Sequence, residues 1–252
     1  MEKLQINVDI KPKGMSSAYV EAPFDKGKEV LEEAGYPIIS LEQNARLRIQ
    51  EGKNAYVSQN GNWVKEGFLY VSNKGKFLTK ASPVMVYPAA ATECHRQGNE
   101  FYLTDEQVEQ GLADSIKLKD RDFSIPTNRF GEEEVTNYIF GNSARDYGSF
   151  LKDVGIKEMP VWMVDDIGSK SFVRQAWFVR LDDESRLDGY VRYLDCNDRV
   201  RGVCEDALAS EPSKIAKGSS QNLYFPTDLE ILRKVRTGDV APKELEKILA
   251  RF

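Results

Sequence analysis

Apolar runs that end at turn residues predict most of the strands in this chain. Runs rich in Val, Ile, Phe, Tyr and Trp, bounded by Gly, Pro or Asn, are typical of strands. The candidate strands are residues 4–10, 16–23, 55–59, 62–71, 76–80, 83–88, 160–164, 172–181 and 198–203. Connections between 55 and 103 are too short for crossovers, so the strands there are expected to pair antiparallel.

Apolar positions three or four residues apart, together with capping residues, predict the helices. The predicted helices are residues 28–34, the second half of 36–52, 104–116, 132–140 and 144–154. Asp25 and Thr104 are the expected N-caps, and Gly35 and Gly155 are expected to end two of the helices. Residues 123–131 are expected to form a loop.

The last part of the chain differs in composition from the rest. Residues 209–221 are rich in Ser, Lys and Pro, which is typical of a linker, and two short helices are predicted after it, at 227–235 and 242–250. The chain therefore divides into a predicted domain over 1–208 and an extension over 209–252. The extension either caps the domain or binds a partner or a second copy of the chain.

The stretch Trp177–Val203 follows neither the helical nor the strand period. Arg-Leu pairs recur about every six residues, with short polar residues and tyrosines between them. One set of positions is made of Arg, Leu, Gly and Val: Arg180, Leu181, Arg186, Leu187, Arg192, Leu194, Arg199, Val200, Arg201, Gly202 and Val203. The positions between them are Asp182, Asp183, Ser185, Asp188, Tyr190, Tyr193, Asp195, Cys196, Asn197 and Asp198.

Composition narrows the classes of function. The 252 residues are 41% hydrophobic, which is enough for a sizeable core, and the net charge of −5 provides no basic excess for nucleic acid. Apolar runs are too short for a membrane span, and the N-terminus lacks the apolar segment of a signal peptide. Cytosolic synthesis is expected, which leaves a final place on a virion or a cell surface open.

Candidate catalytic and metal-binding residues are few. Cys94 and His95 are adjacent, but they lack the CxxC or HxxxH spacing of a metal site, and His95 is the only histidine. Three cysteines do not suggest a disulfide scaffold. We therefore expect no metal and no cofactor.

Three interpretations of Trp177–Val203 compete. The first is a polar surface loop between two strands. The second is a calcium loop built from its five aspartates, although the DxDxDG spacing is missing and the arginines would neutralise the charge. The third comes from the genetic code. Arg, Leu, Gly and Val have adenine-free codons, whereas Asp, Ser, Tyr and Cys arise when the adenines of an Asn codon are replaced.

This codon pattern resembles the variable region of a diversity-generating retroelement variable protein of the archaeal or archaeal-virus type. The scaffold segments upstream, between residues 35 and 177, are similar to those of archaeal members. The resemblance implies an α+β C-type lectin fold of the formylglycine-generating-enzyme-like subtype, with an antiparallel core sheet and flanking helices. The C-terminal helical extension would be an addition to it.

The resemblance also implies a ligand-binding display protein with a hypervariable region at about 177–203. Its ligand-contacting residues would be Asp182, Asp183, Ser185, Asp188, Tyr190, Tyr193, Asp195, Cys196, Asn197 and Asp198. These positions should be exposed, with the two tyrosines as anchors, whereas the leucines and valines should be buried. The partner would be a protein or cell-surface ligand with a basic or polar patch.

Two expectations follow for variants and for an alternative function. Alanine at Asp188 or Asp195 should barely change the melting temperature, whereas Leu187→Ala or Leu194→Ala should lower it.

The alternative function is a formylglycine-generating type of enzyme on the same fold. That chemistry would require a cysteine pair, and Cys196 and Cys204 are the two cysteines close in sequence.

Overall fold

The computed structural model describes residues 4–11, 14–183, 185–190 and 193–204. The predicted linker at 209–221 and the helices at 227–235 and 242–250 lie outside the described residues. Among the described helices, none has both the length and the apolar character needed to cross a membrane.

The strands of the described residues join into one sheet that forms the centre of the molecule. They are β1 (Asn7–Asp9), β2 (Ser16–Ala22), β3 (Asn62–Val71), β4 (Gly75–Thr79), β5 (Phe101–Tyr102), β6 (Ser115–Lys117), β7 (Phe123–Pro126), β8 (Glu158–Trp162), β9 (Phe172–Phe178), β10 (Leu187–Asp188) and β11 (Asp198–Cys204).

The order of neighbouring strands is β1-β2-β11-β3-β9-β10-β8-β7, with β4 beside β3 and β6, and β5 beside β9. Most neighbours are antiparallel, including the hairpin of β3 and β4, which turns at Asn73 and Lys74 as the sequence predicts. The expected antiparallel sheet is nevertheless mixed, because β11 runs parallel to β3 and β10 runs parallel to β8. A strand that enters the sheet from a distant part of the chain is free to pair in either direction.

Helices lie on both sides of the sheet. They are α1 (Phe24–Glu33), α2 (Leu41–Glu51), α3 (Tyr56–Gln59), α4 (Pro83–Val86), α5 (Pro88–Arg96), α6 (Asp105–Ala113), α7 (Glu134–Phe140) and α8 (Ala144–Asp153), with 3-10 turns at Thr127–Arg129, Gly141–Ser143 and Leu181–Asp183. Thr104 caps α6 as predicted, and Ser40 caps α2, each in a capping box with a glutamine three residues on.

The sheet separates two hydrophobic cores, and alternate residues of one strand enter different cores. In β9, Phe172, Ala176 and Phe178 belong to the core that includes α2, α7 and α8. Val173 and Trp177 face the other core, which is covered by α1 and α5. Strand β9 is therefore buried on both faces, so its apolar residues do not alternate with exposed polar residues.

Several predicted elements are wrong. Residues 56–59 and 83–86 are short helices rather than strands, and residues 123–126 form β7 rather than a loop. Short apolar runs do not distinguish a strand from a buried helical turn, and Pro83 stands at the first turn of α4, where proline is tolerated. Helix α1 begins at Phe24 with Pro23 as its N-cap residue, so Asp25 lies in the first turn of the helix and not at the expected cap position.

Candidate functional site

The stretch Trp177–Val203 leaves the sheet and returns to it. It begins in β9, passes through the 3-10 turn Leu181–Asp183 and forms β10 against β9. It then crosses the surface and enters the sheet as β11, between β2 and β3. The stretch is thus partly an internal strand and partly surface, which accounts for its lack of a single period.

The apolar framework residues of the stretch are buried, as the framework interpretation expects. They are Leu181, Leu187, Leu194, Val200 and Val203, each no more than 5% exposed. Gly202 is also constrained, because a Cβ atom there would collide with the carbonyl of Tyr36. Substitution at these positions would change the core directly.

Most of the intervening positions point outward. Tyr190 and Tyr193 are 60% and 58% exposed. Asp182, Cys196 and Asn197 are exposed, and Asp195 and Asp198 are half-buried. The backbone of Asp183 lies in the 3-10 turn Leu181–Asp183. The structure therefore brings a group of these residues to the surface, as expected.

Ser185 and Asp188 correct that expectation, because both are buried. The Ser185 hydroxyl lies 2.7 Å from the hydroxyl of Tyr147, and the residue has a left-handed φ of 54°. The Asp188 carboxylate accepts the backbone N–H of Tyr190 at 2.8 Å and lies 3.4 Å from Arg186 Nε. Both polar groups bind atoms inside the fold. Because the side chains are buried, neither can form part of an exposed face.

Arg48 of α2 is a residue that the sequence analysis missed. Its side chain is fully buried and donates to the Ser185 hydroxyl at 3.0 Å and to the Val179 carbonyl at 2.9 Å. The guanidinium also lies 4.1 Å from the centre of the Phe178 ring. Its position three residues after the buried Ala45, on the same face of α2, is the signal that could have indicated a buried role.

Framework arginines of the stretch contact aromatic rings and polar side chains. Arg186 lies 3.5 Å above the ring of Trp162, and Arg199 donates to the hydroxyl of Tyr56 at 2.9 Å. Arg201 is buried and donates to Ser17 Oγ at 3.2 Å. Burial lowers the pKa of Arg201 to about 10, so it remains a cation at neutral pH.

Burial raises the pKa of two intervening residues, Asp198 and Cys196. Removal from water raises the pKa of Asp198, while Arg199 lowers it and Glu21 raises it further. Burial also raises the pKa of the Cys196 thiol, and Asp195 and Asp198 add to that effect. Cys196 is therefore mainly protonated at neutral pH, which makes it a poor nucleophile.

The two cysteines required by the enzymatic alternative are not brought together. Cys204 lies opposite Ser16 of β2 at one end of β11, whereas Cys196 comes just before Asp198 at the other end of the strand. Seven strand residues span about 20 Å, far beyond the distance of a disulfide or a shared metal. Within the described residues, no three His, Cys, Asp or Glu side chains gather as metal ligands, and this set includes Asp182, Asp188, Asp195 and Asp198 of the calcium interpretation.

Comparison with known proteins identifies the fold. No protein-family model matches the chain, and no curated protein does. A solved structure described as "Accommodation of massive sequence variation in Nanoarchaeota by the C-type lectin fold" matches with a TM-score of 0.58. The match covers 77% of this chain and 99% of that chain at 14% sequence identity. The described part of the chain therefore has a C-type lectin fold, as the sequence predicts.

Proposed function

We propose that this protein displays a ligand-binding face made by the exposed positions of Trp177–Val203, and that a retroelement diversifies this face by adenine-directed mutagenesis. The protein would then belong to the variable proteins of diversity-generating retroelements, within the formylglycine-generating-enzyme-like subtype of the fold. It would act as a binding protein and not as an enzyme.

One observation carries the proposal: residue type and burial divide this stretch into a framework and a surface. Leu187 and Leu194, of a type that adenine-free codons can encode, are fully buried, whereas Tyr190 and Tyr193, one substitution away from an Asn codon, are exposed. The two buried polar residues described above are exceptions to this division. Any folded segment buries its leucines, so the specific support is that the exposed intervening residues are all types that an Asn codon gives, with or without replacement of its adenines. Diversification suits such positions because changes in the core cost about 1–5 kcal/mol and changes on the surface cost far less.

The structural neighbour supports the proposal in one respect. That nanoarchaeal structure is described as showing how the C-type lectin fold accommodates massive sequence variation. The same fold in this chain offers a rigid sheet from which a surface stretch departs and to which it returns. We extend the property to this chain on the strength of its own codon pattern.

The face has the chemistry of a protein-binding surface. Tyr190 and Tyr193 provide large rigid contact areas with few rotatable bonds. Asp182, Asp195 and Asp198 add negative charge, so the favoured partner is a protein or cell-surface ligand with a basic or polar patch. Presentation on a virion or a cell surface would suit this role. Association through 209–252, which lies outside the described residues, stays a prediction.

The decisive experiment examines DNA from the source organism. The region around the gene should contain a near-repeat of the DNA for Trp177–Val203 beside a reverse transcriptase gene. Differences between the two copies should fall at adenines of the repeat, at the codons of exposed residues such as Tyr190 and Tyr193. A missing repeat, or differences spread over all four bases, would leave only the polar surface loop.

A further inference from the structure

The backbone of Gly189 and Tyr190 is held at all four of its polar atoms. Gly189 N–H donates to the Trp162 carbonyl at 2.8 Å, and its own carbonyl accepts the Tyr70 hydroxyl at 2.8 Å. Tyr190 N–H donates to Asp188 Oδ1, and the Tyr190 carbonyl accepts Arg174 Nη1. The Tyr190 side chain participates in none of these bonds, so the path of the chain here does not depend on it.

Arg174 is itself held by the carboxylate of Glu100, the residue before β5. Its Nε donates to Glu100 Oε2 at 3.1 Å, and its Nη2 lies 2.5 Å from Glu100 Oε1, in a two-pronged ion pair. Both side chains are mostly buried, with 8% and 14% exposure. A two-pronged pair of this kind fixes the plane of the guanidinium, and buried charged hydrogen bonds are stronger than exposed ones.

The sheet beneath Gly189 leaves no room for a side chain at this position of the turn. A Cβ atom at 189 would overlap the ring of Phe68, which is fully buried in β3. Phe68 stands directly opposite Arg174 in the sheet. The turn therefore rests on the sheet through a glycine, and only the next residue projects into solvent.

Two exposed aromatic residues of the scaffold are linked to this turn through its partners. Trp162, whose carbonyl binds Gly189, is 41% exposed. Tyr102 is 50% exposed and packs edge-on against Phe172, whose ring lies 5.7 Å from the guanidinium carbon of Arg174. Exposed aromatic residues of this kind are enriched where protein partners bind.

We infer that Arg174 and Glu100 are a positioning pair that presents position 190 through its backbone, so that the side chain at 190 can be exchanged without moving the chain. Its importance for diversification rests on the proposed function. The geometric claim does not, because it concerns only how residues 189 and 190 are held. The ring of Tyr190 lies 5.5 Å from the guanidinium carbon of Arg174, a contact that adds to the arrangement but does not define it.

The test is amide hydrogen exchange, followed by NMR on the full chain. Tyr190→Ser and Tyr190→Asn should keep the amides of 189 and 190 protected to within about threefold of the original protein. Arg174→Gln and Glu100→Gln should accelerate exchange at those two amides by about tenfold or more, with the core amides of Leu69 and Val173 unchanged. A general loss of stability would accelerate the core amides as well.

Arg129→Gln is the matched control, because it breaks an exposed Arg-Glu pair, with Glu133, elsewhere on the molecule. It should leave residues 189 and 190 unaffected. Equal acceleration by Tyr190→Ser and Glu100→Gln would overturn the inference, since the ring would then hold the turn. Unchanged exchange in Glu100→Gln would overturn it too. Neither of these two outcomes depends on Arg174→Gln, so the test holds even if that variant does not fold. A missing DNA repeat would count against diversification alone.

Discussion

Single residues in this protein have roles that follow from their burial more than from their type. Asp188 and Asp195 look alike in the sequence, yet one is a structural acceptor and the other lies at the surface. Glu66 of β3 is fully buried and accepts the N–H of Leu41 at 3.0 Å, in the first turn of α2. Each of these carboxylates leads to a prediction about stability.

Asp188→Ala should destabilise the protein by about 1–3 kcal/mol, because the buried N–H of Tyr190 loses a charged acceptor. Asp195→Ala should stay within about 0.5 kcal/mol, as is usual for positions near the surface. This replaces the expectation that both changes would be neutral. Urea unfolding of the two variants measures the difference, and equal effects would contradict the structural role of Asp188.

Glu66→Gln should remove part of the pH dependence of stability. Burial raises the pKa of Glu66 from 4.5 to about 7, although the Leu41 N–H lowers it somewhat. Between pH 4.5 and 7 the unfolded chain therefore loses this proton while the folded chain keeps it. The folded state loses stability as the pH rises through this window, by roughly 3 kcal/mol in total.

The measurement is urea unfolding of both proteins from pH 4.5 to 8. The original protein should lose more stability over this range than Glu66→Gln does. Glu29→Gln serves as control because Glu29 is an exposed residue of α1, and it should keep the original slope. Identical slopes for all three proteins would show that Glu66 is ionised throughout.

At the scale of elements, β10 and β11 join the surface stretch to the core. Leu187 in β10 lies opposite Phe178 and Val161, in the core that includes α2 and α8. Leu194 precedes β11 and lies in the other core, and its carbonyl accepts the N–H of Phe24 at 2.7 Å. The two leucines thus fix the crossing segment at both ends, one on each side of the sheet.

Leu187→Ala and Leu194→Ala should each lower the free energy of unfolding by about 2–5 kcal/mol, because each leaves a cavity in a packed core. Tyr193→Ala is the matched control, since it removes a larger side chain from the neighbouring exposed position and should cost within about 0.5 kcal/mol. Thermal unfolding followed by circular dichroism compares them. A Tyr193→Ala variant as unstable as Leu194→Ala would refute the division between framework and surface.

At the scale of the whole molecule, the two cores give the surface stretch its rigidity. Arg48 reaches from α2 to Ser185 and Val179, and thereby ties one helix to the start of the stretch. Arg174, paired with Glu100, binds the Tyr190 carbonyl in the middle of the stretch. The proposed binding face, supported in this way, would lose little conformational entropy when a partner binds, which would favour affinity for whatever side chains it carries.

Much of this arrangement was determined by the sequence alone. Periodicity located β2, β3, β4, β9 and β11 and the helices α2, α6 and α8, because apolar burial repeats with the geometry of each element. The predicted division into framework and intervening positions separated the buried leucines from the exposed tyrosines, but it placed the buried Ser185 and Asp188 among the exposed positions.

The tertiary structure alone decided which polar residues of the stretch are buried, and what holds them. Ser185 meets Arg48 across 137 positions of sequence, and Arg174 meets Glu100 across 74. Sequence periodicity reports only local geometry, so it has no information about partners that far apart. For the same reason the parallel pairing of β11 with β3, and the backbone support of position 190, became visible only once the chain was folded.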